Sequence, residues 1–175
     1  MSIRWHVGSV LAVTALLLGA GGLERPYTPV AANLNDPCTL LSGEAVGRVF
    51  GVNNVRGVPK PPRTAANGLP THSCDYRAAL PDVSLGELLT TVTDRSVTPA
   101  QVAEAWQRAK PGARPIPGVG EAAVYYVDQQ YKAGVAGAAK STPGGTVAVL
   151  YSGSTRASQE MLASLVKQAI DAVSG

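Results

Sequence analysis

The stretch Asp36-Pro37-Cys38-Thr39-Leu40-Leu41-Ser42, with Ser73-Cys74-Asp75-Tyr76 further along, decides how the rest of the chain is read. These two segments hold both cysteines of the 175-residue sequence. Asp36 is placed to cap a helical turn, and Pro37 falls at its first position, where a missing N–H costs nothing. Cys74, Tyr76 and Ala78 alternate with polar neighbours, as a half-buried strand does. Read as one disulfide, Cys38–Cys74 ties the first helical turn to the first clear strand, and the fold is built outward from that tie.

Oxidised pairs persist outside the cytosol, and the N-terminus agrees. Arg4 and His6 precede an uncharged run, Val7 to Leu23. Its strongly apolar part, Val10–Leu18, has the length of a signal-peptide core. Small-residue sites end at Gly22 and at Ala32. The whole run is at the lower edge of what crosses a bilayer, so an uncleaved anchor is the alternative. Residues 1–32 are therefore expected to be a signal peptide or signal anchor with a lead-in, and 33–175 a single domain. The expected location is exported, either secreted or associated with the cell envelope, with membrane contact only through an uncleaved N-terminal segment.

Composition excludes several classes. Charged residues are 15% of the chain, below the usual quarter, but the apolar share of 45% rules out a disordered chain. Without residues 1–32 there remain 13 basic and 11 acidic residues, too small an excess to argue for nucleic acid.

Downstream of the capped turn, Ser42 restarts a helix through Val46, Val49 and Phe50, ended by Gly51. Residues 52–72 carry Pro59, Pro61, Pro62 and Pro70 and read as a long exposed loop, with a short edge strand near Asn53–Arg56. Leu85–Thr93 reads as a strand. Thr98-Pro99-Ala100-Gln101 has the spacing of a capping box and opens a helix that buries Val102, Ala105, Trp106 and Ala109. Ala122–Val127, Tyr131–Ala139 and Thr146–Tyr151 then form a three-stranded meander. A last helix keeps Met161, Leu162, Leu165, Val166, Ala169, Ile170 and Val173 on one face, with Ser154 or Thr155 as its cap. The expected fold is α+β: an antiparallel sheet of about five strands with helices packed on it and one disulfide.

Asp-Pro-Cys-x-Leu-Leu-Ser-x-x-x-Ala with Phe50-Gly51, then Cys74-Asp75-Tyr76, then Gly118-Val119-Gly120-Glu121-Ala122-Ala123-Val124-Tyr125 and a C-terminal helix, resembles a family of exported actinobacterial proteins of unknown function. Many of its members are lipoproteins of mycobacteria and streptomycetes. The resemblance spans about residues 33–174. It implies that Cys38 and Cys74 are bonded, and it carries no agreed activity. This chain departs from the family in lacking a lipid-accepting cysteine.

No catalytic residue, metal site or cofactor is assigned. His72 is a lone loop histidine, no Gly-x-Ser-x-Gly elbow occurs, and Gly118-Val119-Gly120 precedes a strand where a dinucleotide loop would open a helix. Asp75, Asp82, Glu87, Asp94, Glu121 and Asp128 are scattered; a carboxylate pair for glycoside hydrolysis would have to form in space. Two candidate surfaces stand out. One is the basic loop with Arg56, Lys60 and Arg63, which has no acid between Glu44 and Asp75 and suits an anionic envelope polymer or an acidic partner. The other is a tyrosine groove from Tyr125, Tyr126 and Tyr131. The expected function is non-enzymatic binding of an envelope ligand or protein partner. A hydrolase acting on envelope polymers and a structural envelope component are the alternatives.

Overall fold

In a computed structural model, the residues described are 34–65, 68–79 and 82–173. The signal or anchor segment expected over 1–32 lies outside them.

The cysteines are joined, with the Cα atoms of Cys38 and Cys74 5.2 Å apart. Around the bond, local signals are executed as the residues dictate. Asp36 Oδ1 accepts from the Cys38 N–H at 3.1 Å and opens a 3-10 turn, Pro37–Thr39. Ser42 caps helix α1, Gly43–Phe50, by accepting from Ala45 N–H. Gly51 closes it in the left-handed conformation that glycine adopts without penalty.

Strands β1 (Val55–Thr64), β2 (Pro70–Ala78) and β3 (Val83–Val92) form a first antiparallel meander. Helix α2, Pro99–Ala109, follows with the full Thr98–Gln101 capping box. A second meander comprises β4 (Arg114–Pro115), β5 (Ala122–Asp128), β6 (Ala133–Thr142) and β7 (Gly145–Ser154). Helix α3, Gln159–Asp171, is the last element among the described residues. The order across the sheet is β1-β2-β3-β7-β6-β5-β4, with every pair antiparallel. After β3 the chain crosses by way of α2 to the far edge and works back, so that β7 zips onto β3.

The sheet therefore has seven strands where the sequence reading expected about five. Both additional strands are edges, and both carry proline. Pro59, Pro61 and Pro62 forbid a central strand, which is why 52–72 read as a loop with only a short edge strand near Asn53–Arg56, where β1 in fact begins at Val55 and runs to Thr64. An edge strand bonds on one side only and tolerates them, and a register shift between Lys60 and Arg63 absorbs Pro61 and Pro62. β4 pairs just two residues, Arg114 with Tyr125 and Pro115 with Val124, too few for a period to show.

Smaller expectations are corrected too. The cap of α3 is Ser158, accepting from Met161 N–H, because β7 runs on to Ser154. Tyr131 belongs to the turn between β5 and β6, not to β6 itself. Ala109 is exposed; α2 buries Val102, Ala103 and Trp106.

One sheet face is covered by α1 and α3. Cys74, Tyr76, Leu88, Val147, Val149 and Tyr151 meet Val46, Leu162, Leu165, Val166, Ala169 and Ile170 there. Gly86, Gly153 and Gly134 stand opposite one another on β3, β7 and β6 and make a trough. A Cβ on Gly86 would lie 2.5 Å from the Tyr151 ring, and one on Gly134 would lie 3.0 Å from Leu162, so the trough lets α3 sit close. Among the described residues, the other face is covered by α2 alone. Its Trp106, Val102 and Ala103 pack on Val124, Tyr126, Val135, Ala139 and Ala148, all on β5–β7. Strands β5–β7 are thus buried on both faces and read as continuous apolar runs, whereas among the described residues β1–β3 carry a helix layer on one face only.

Candidate functional site: the uncovered face of β1, β2 and β3

Strand alternation and register decide which side chains share the uncovered face. Leu88 and Cys74 point into the α1–α3 core. Their neighbours Glu87 and Asp75, directly opposite each other, therefore point the other way. With them go Thr71, Ser73 and Arg77 on β2, Leu89 and Thr91 on β3, and Arg56, Val58 and Lys60 on β1, by the pairing of Arg56 with Arg77, Val58 with Asp75 and Lys60 with Ser73. Arg63 pairs with Thr71 and joins the same face. In an unbroken strand, residues 60 and 63 would face opposite ways; the bulge at Pro61–Pro62 restores Arg63 to the side of Lys60.

At the centre of this face two carboxylates are held low. Asp75 is 6% exposed and Glu87 is 9% exposed. Lys60 Nζ lies 3.9 Å from Asp75 Oδ2 and 3.8 Å from Glu87 Oε1. These are ion-pair distances, beyond hydrogen-bond reach, and Glu87 Oε1 is buried with no hydrogen-bond partner among the described residues. Asp75 is better served: Ser84 Oγ donates at 2.5 Å and Arg77 Nη1 at 3.1 Å. Arg77 also donates through Nε to Asp82 Oδ1 at 2.9 Å, and Arg56 reaches Asp82 at 3.6 Å. The hydrogen bond from Arg77 holds the Asp82 carboxyl below its usual range, and the Arg77 guanidinium is raised in turn.

The residues singled out from sequence divide in two. Arg56, Lys60 and Arg63 share this face, on a strand instead of a loop. The tyrosines do not come together. Tyr125 points to the α3 side, beneath Arg114 at 5.3 Å. Tyr126 points to the α2 side, with Lys110 Nζ 5.6 Å from its ring. Tyr131 is half-buried in the turn beyond. Adjacent strand residues must face apart, and here both faces are roofed, so each ring is core. Burial raises the Tyr126 hydroxyl well above its usual range, with Asp128 adding to the effect. His72 pairs with Thr90 on the α1 side and is not part of the charged cluster.

The other acids have structural duties. Burial opposes the charge on Asp128. The hydrogen bond from Lys110 at 2.8 Å, with N–H groups of Tyr131 and Gln130, outweighs that and leaves its carboxyl below the usual range. Glu121 accepts from Ser141 N–H and Oγ. Asp94 accepts from Ser96 N–H.

The pairing of Asp75 with Glu87, and of both with Lys60, was not foreseen. The residues are 12 and 15 positions apart in sequence, and only the register of β1–β2–β3 assembles them. Among the described residues no group of three or more histidine, cysteine, aspartate or glutamate side chains is placed to hold a metal ion. No helix among them is long and apolar enough to cross a membrane. No protein-family model, no curated protein and no solved structure matches this chain.

Proposed function

We propose that this chain is an exported, non-enzymatic binding domain of the cell envelope and that the uncovered face of β1–β3 is its binding surface. One observation carries the reading: of the two halves of the sheet, the β5–β7 half is roofed on both faces by apolar packing, while the β1–β3 half presents a face built of charged, hydroxyl and half-buried apolar side chains. Such a mixed floor is what a wet, polar recognition surface needs. Export rests on the apolar run Val10–Leu18 and on the resemblance to exported actinobacterial proteins, and a disulfide suits that compartment. The hydrolase alternative would use Asp75 and Glu87, but Lys60 stands within 4 Å of both as a shared ion-pair partner.

The test is retention on envelope fragments of the source organism. Val58→Trp with Thr91→Trp puts two strand-compatible indoles onto the floor at half-buried positions. The wild-type protein should sediment with the fragments, and the folded double variant should stay in the supernatant. Equal sedimentation of the two would overturn the assignment of this face.

A further inference from the structure

Resting on that reading, we infer that the ligand of this face is an anionic polysaccharide, lying along β1 across Arg56, Lys60 and Arg63. Three observations converge. The first is alignment. By register on β2, the three cations stand opposite Arg77, Ser73 and Thr71, a row about 20 Å long at strand spacing. Arg63 is in that row only because of the bulge at Pro61–Pro62.

The second is charge. No acidic residue occurs between Glu44 and Asp75, so β1 itself is purely basic. The acids beneath it are partly spent: Asp75 and Glu87 are sunk in the floor and Asp82 is engaged by Arg77. Arg63 is exposed, with no ion pair among the described residues. Arg56 is mostly exposed and only 3.6 Å from its nearest carboxylate. Lys60 sits at ion-pair and not hydrogen-bond distance from its two. All three can turn a donor toward an arriving anion.

The third is the chemistry of the edge. A protein partner would dock most simply by adding a strand to β1. Pro59, Pro61 and Pro62 leave β1 three N–H groups short and the Pro61–Pro62 bulge breaks its regular spacing, which disfavours strand addition. A polysaccharide asks nothing of the backbone edge. It needs charge-assisted donors in a line for its carboxylates, and hydroxyl partners for its own hydroxyls. Thr91, half-buried on the same floor, donates its hydroxyl to the Pro70 carbonyl and keeps its lone pairs to accept from a sugar hydroxyl, while Thr71 and Ser73 are buried beneath.

The probe is polygalacturonate, a linear polyuronate, with neutral dextran and duplex DNA beside it, measured by fluorescence anisotropy on the full chain at low ionic strength. Polygalacturonate should bind, and binding should vanish at about 1 M salt, where charges are screened beyond a few ångströms. Arg56→Gln with Arg63→Gln should weaken binding about tenfold, as expected for two exposed charge contacts. Lys132→Gln with Lys167→Gln removes the same charge elsewhere and should change it less than twofold. Equal weakening by both pairs would reduce the effect to net charge and overturn the proposal. Tighter binding of DNA, or no effect of the arginine pair, would overturn it as well. In those cases the face itself still stands if Val58→Trp with Thr91→Trp abolishes envelope retention, and falls with the polymer if it does not.

Discussion

Tyr76 and Tyr151 lie side by side in the same core, ring centroids 6.1 Å apart, and both are fully buried. They differ in one hydrogen bond. Tyr76 donates its hydroxyl to the Leu41 carbonyl at 2.5 Å, 35 residues away in sequence. The Tyr151 hydroxyl has no partner among the described residues. Burial raises both hydroxyls above their usual range, so each is a neutral phenol at physiological pH. The same substitution should therefore act in opposite directions. Tyr76→Phe leaves a buried carbonyl unsatisfied and should cost about 1–3 kcal/mol. Tyr151→Phe removes an unpaired buried polar atom and should be neutral or stabilising. Urea unfolding midpoints of the two variants decide this, and a larger loss in Tyr151→Phe would show the assignment of partners to be wrong. The sequence placed both tyrosines on strands. It had no means of saying which would find a carbonyl, because Leu41 meets Tyr76 only where the capped turn packs onto β2.

At the scale of elements, the ends of α1 and the start of α2 were legible, whereas the start of α3 and the extent of the edge strands were not. Caps depend on residues three or four apart, and Asp36, Ser42, Gly51 and the Thr98–Gln101 box all act as their local chemistry dictates. Whether a proline-containing stretch is a loop or an edge strand depends on what lies beside it. Ten residues with three prolines became β1 because β2 offered a partner and nothing lay beyond. Proline at both edges, Pro115 on β4 as well as those of β1, blunts the sheet against pairing with other chains. Replacing Pro59, Pro61 and Pro62 with valine would restore N–H donors along an exposed edge and raise its β propensity. The triple variant should self-associate at concentrations where the wild type does not, as light scattering would reveal. Unchanged scattering would mean that charge and twist protect this edge and proline does not. Gly57 marks the other constraint on β1. A Cβ there would lie 2.9 Å from Cys74 Sγ and 3.2 Å from Cys38 Sγ, so the strand packs directly onto the disulfide.

For the molecule as a whole, the disulfide closes 36 residues of chain and joins the capped turn, β1 and β2 into one unit. Chain-entropy reasoning gives it about 3–4 kcal/mol, a large part of the roughly 5–15 kcal/mol typical of a domain. Cys38→Ala with Cys74→Ala should lower the melting temperature by about 10 °C. A shift below about 3 °C would indicate that packing of α1 and β1 holds this region without the bond. The two meanders meet at a single seam, β3 against β7, whose strands are more than fifty residues apart in sequence. That seam makes one seven-stranded sheet out of two smaller ones, and among the described residues it leaves three α-helices to cover two faces. One half of one face goes without.

The sequence by itself determined the capped turn, the three helices with their apolar faces, and the central strands, because those are set by neighbours within a turn or a two-residue alternation. It marked the two cysteines as a pair by their number alone. The tertiary structure decided that β1 and β4 are strands, that Tyr125 and Tyr126 are core on opposite sides, and that Asp75, Glu87 and Lys60 meet. It also decided that Arg56, Lys60 and Arg63 form a row. Each of these depends on register between strands and on which face a helix covers. Those are long-range choices made when apolar area is buried and backbone donors find partners, and no window of sequence contains them.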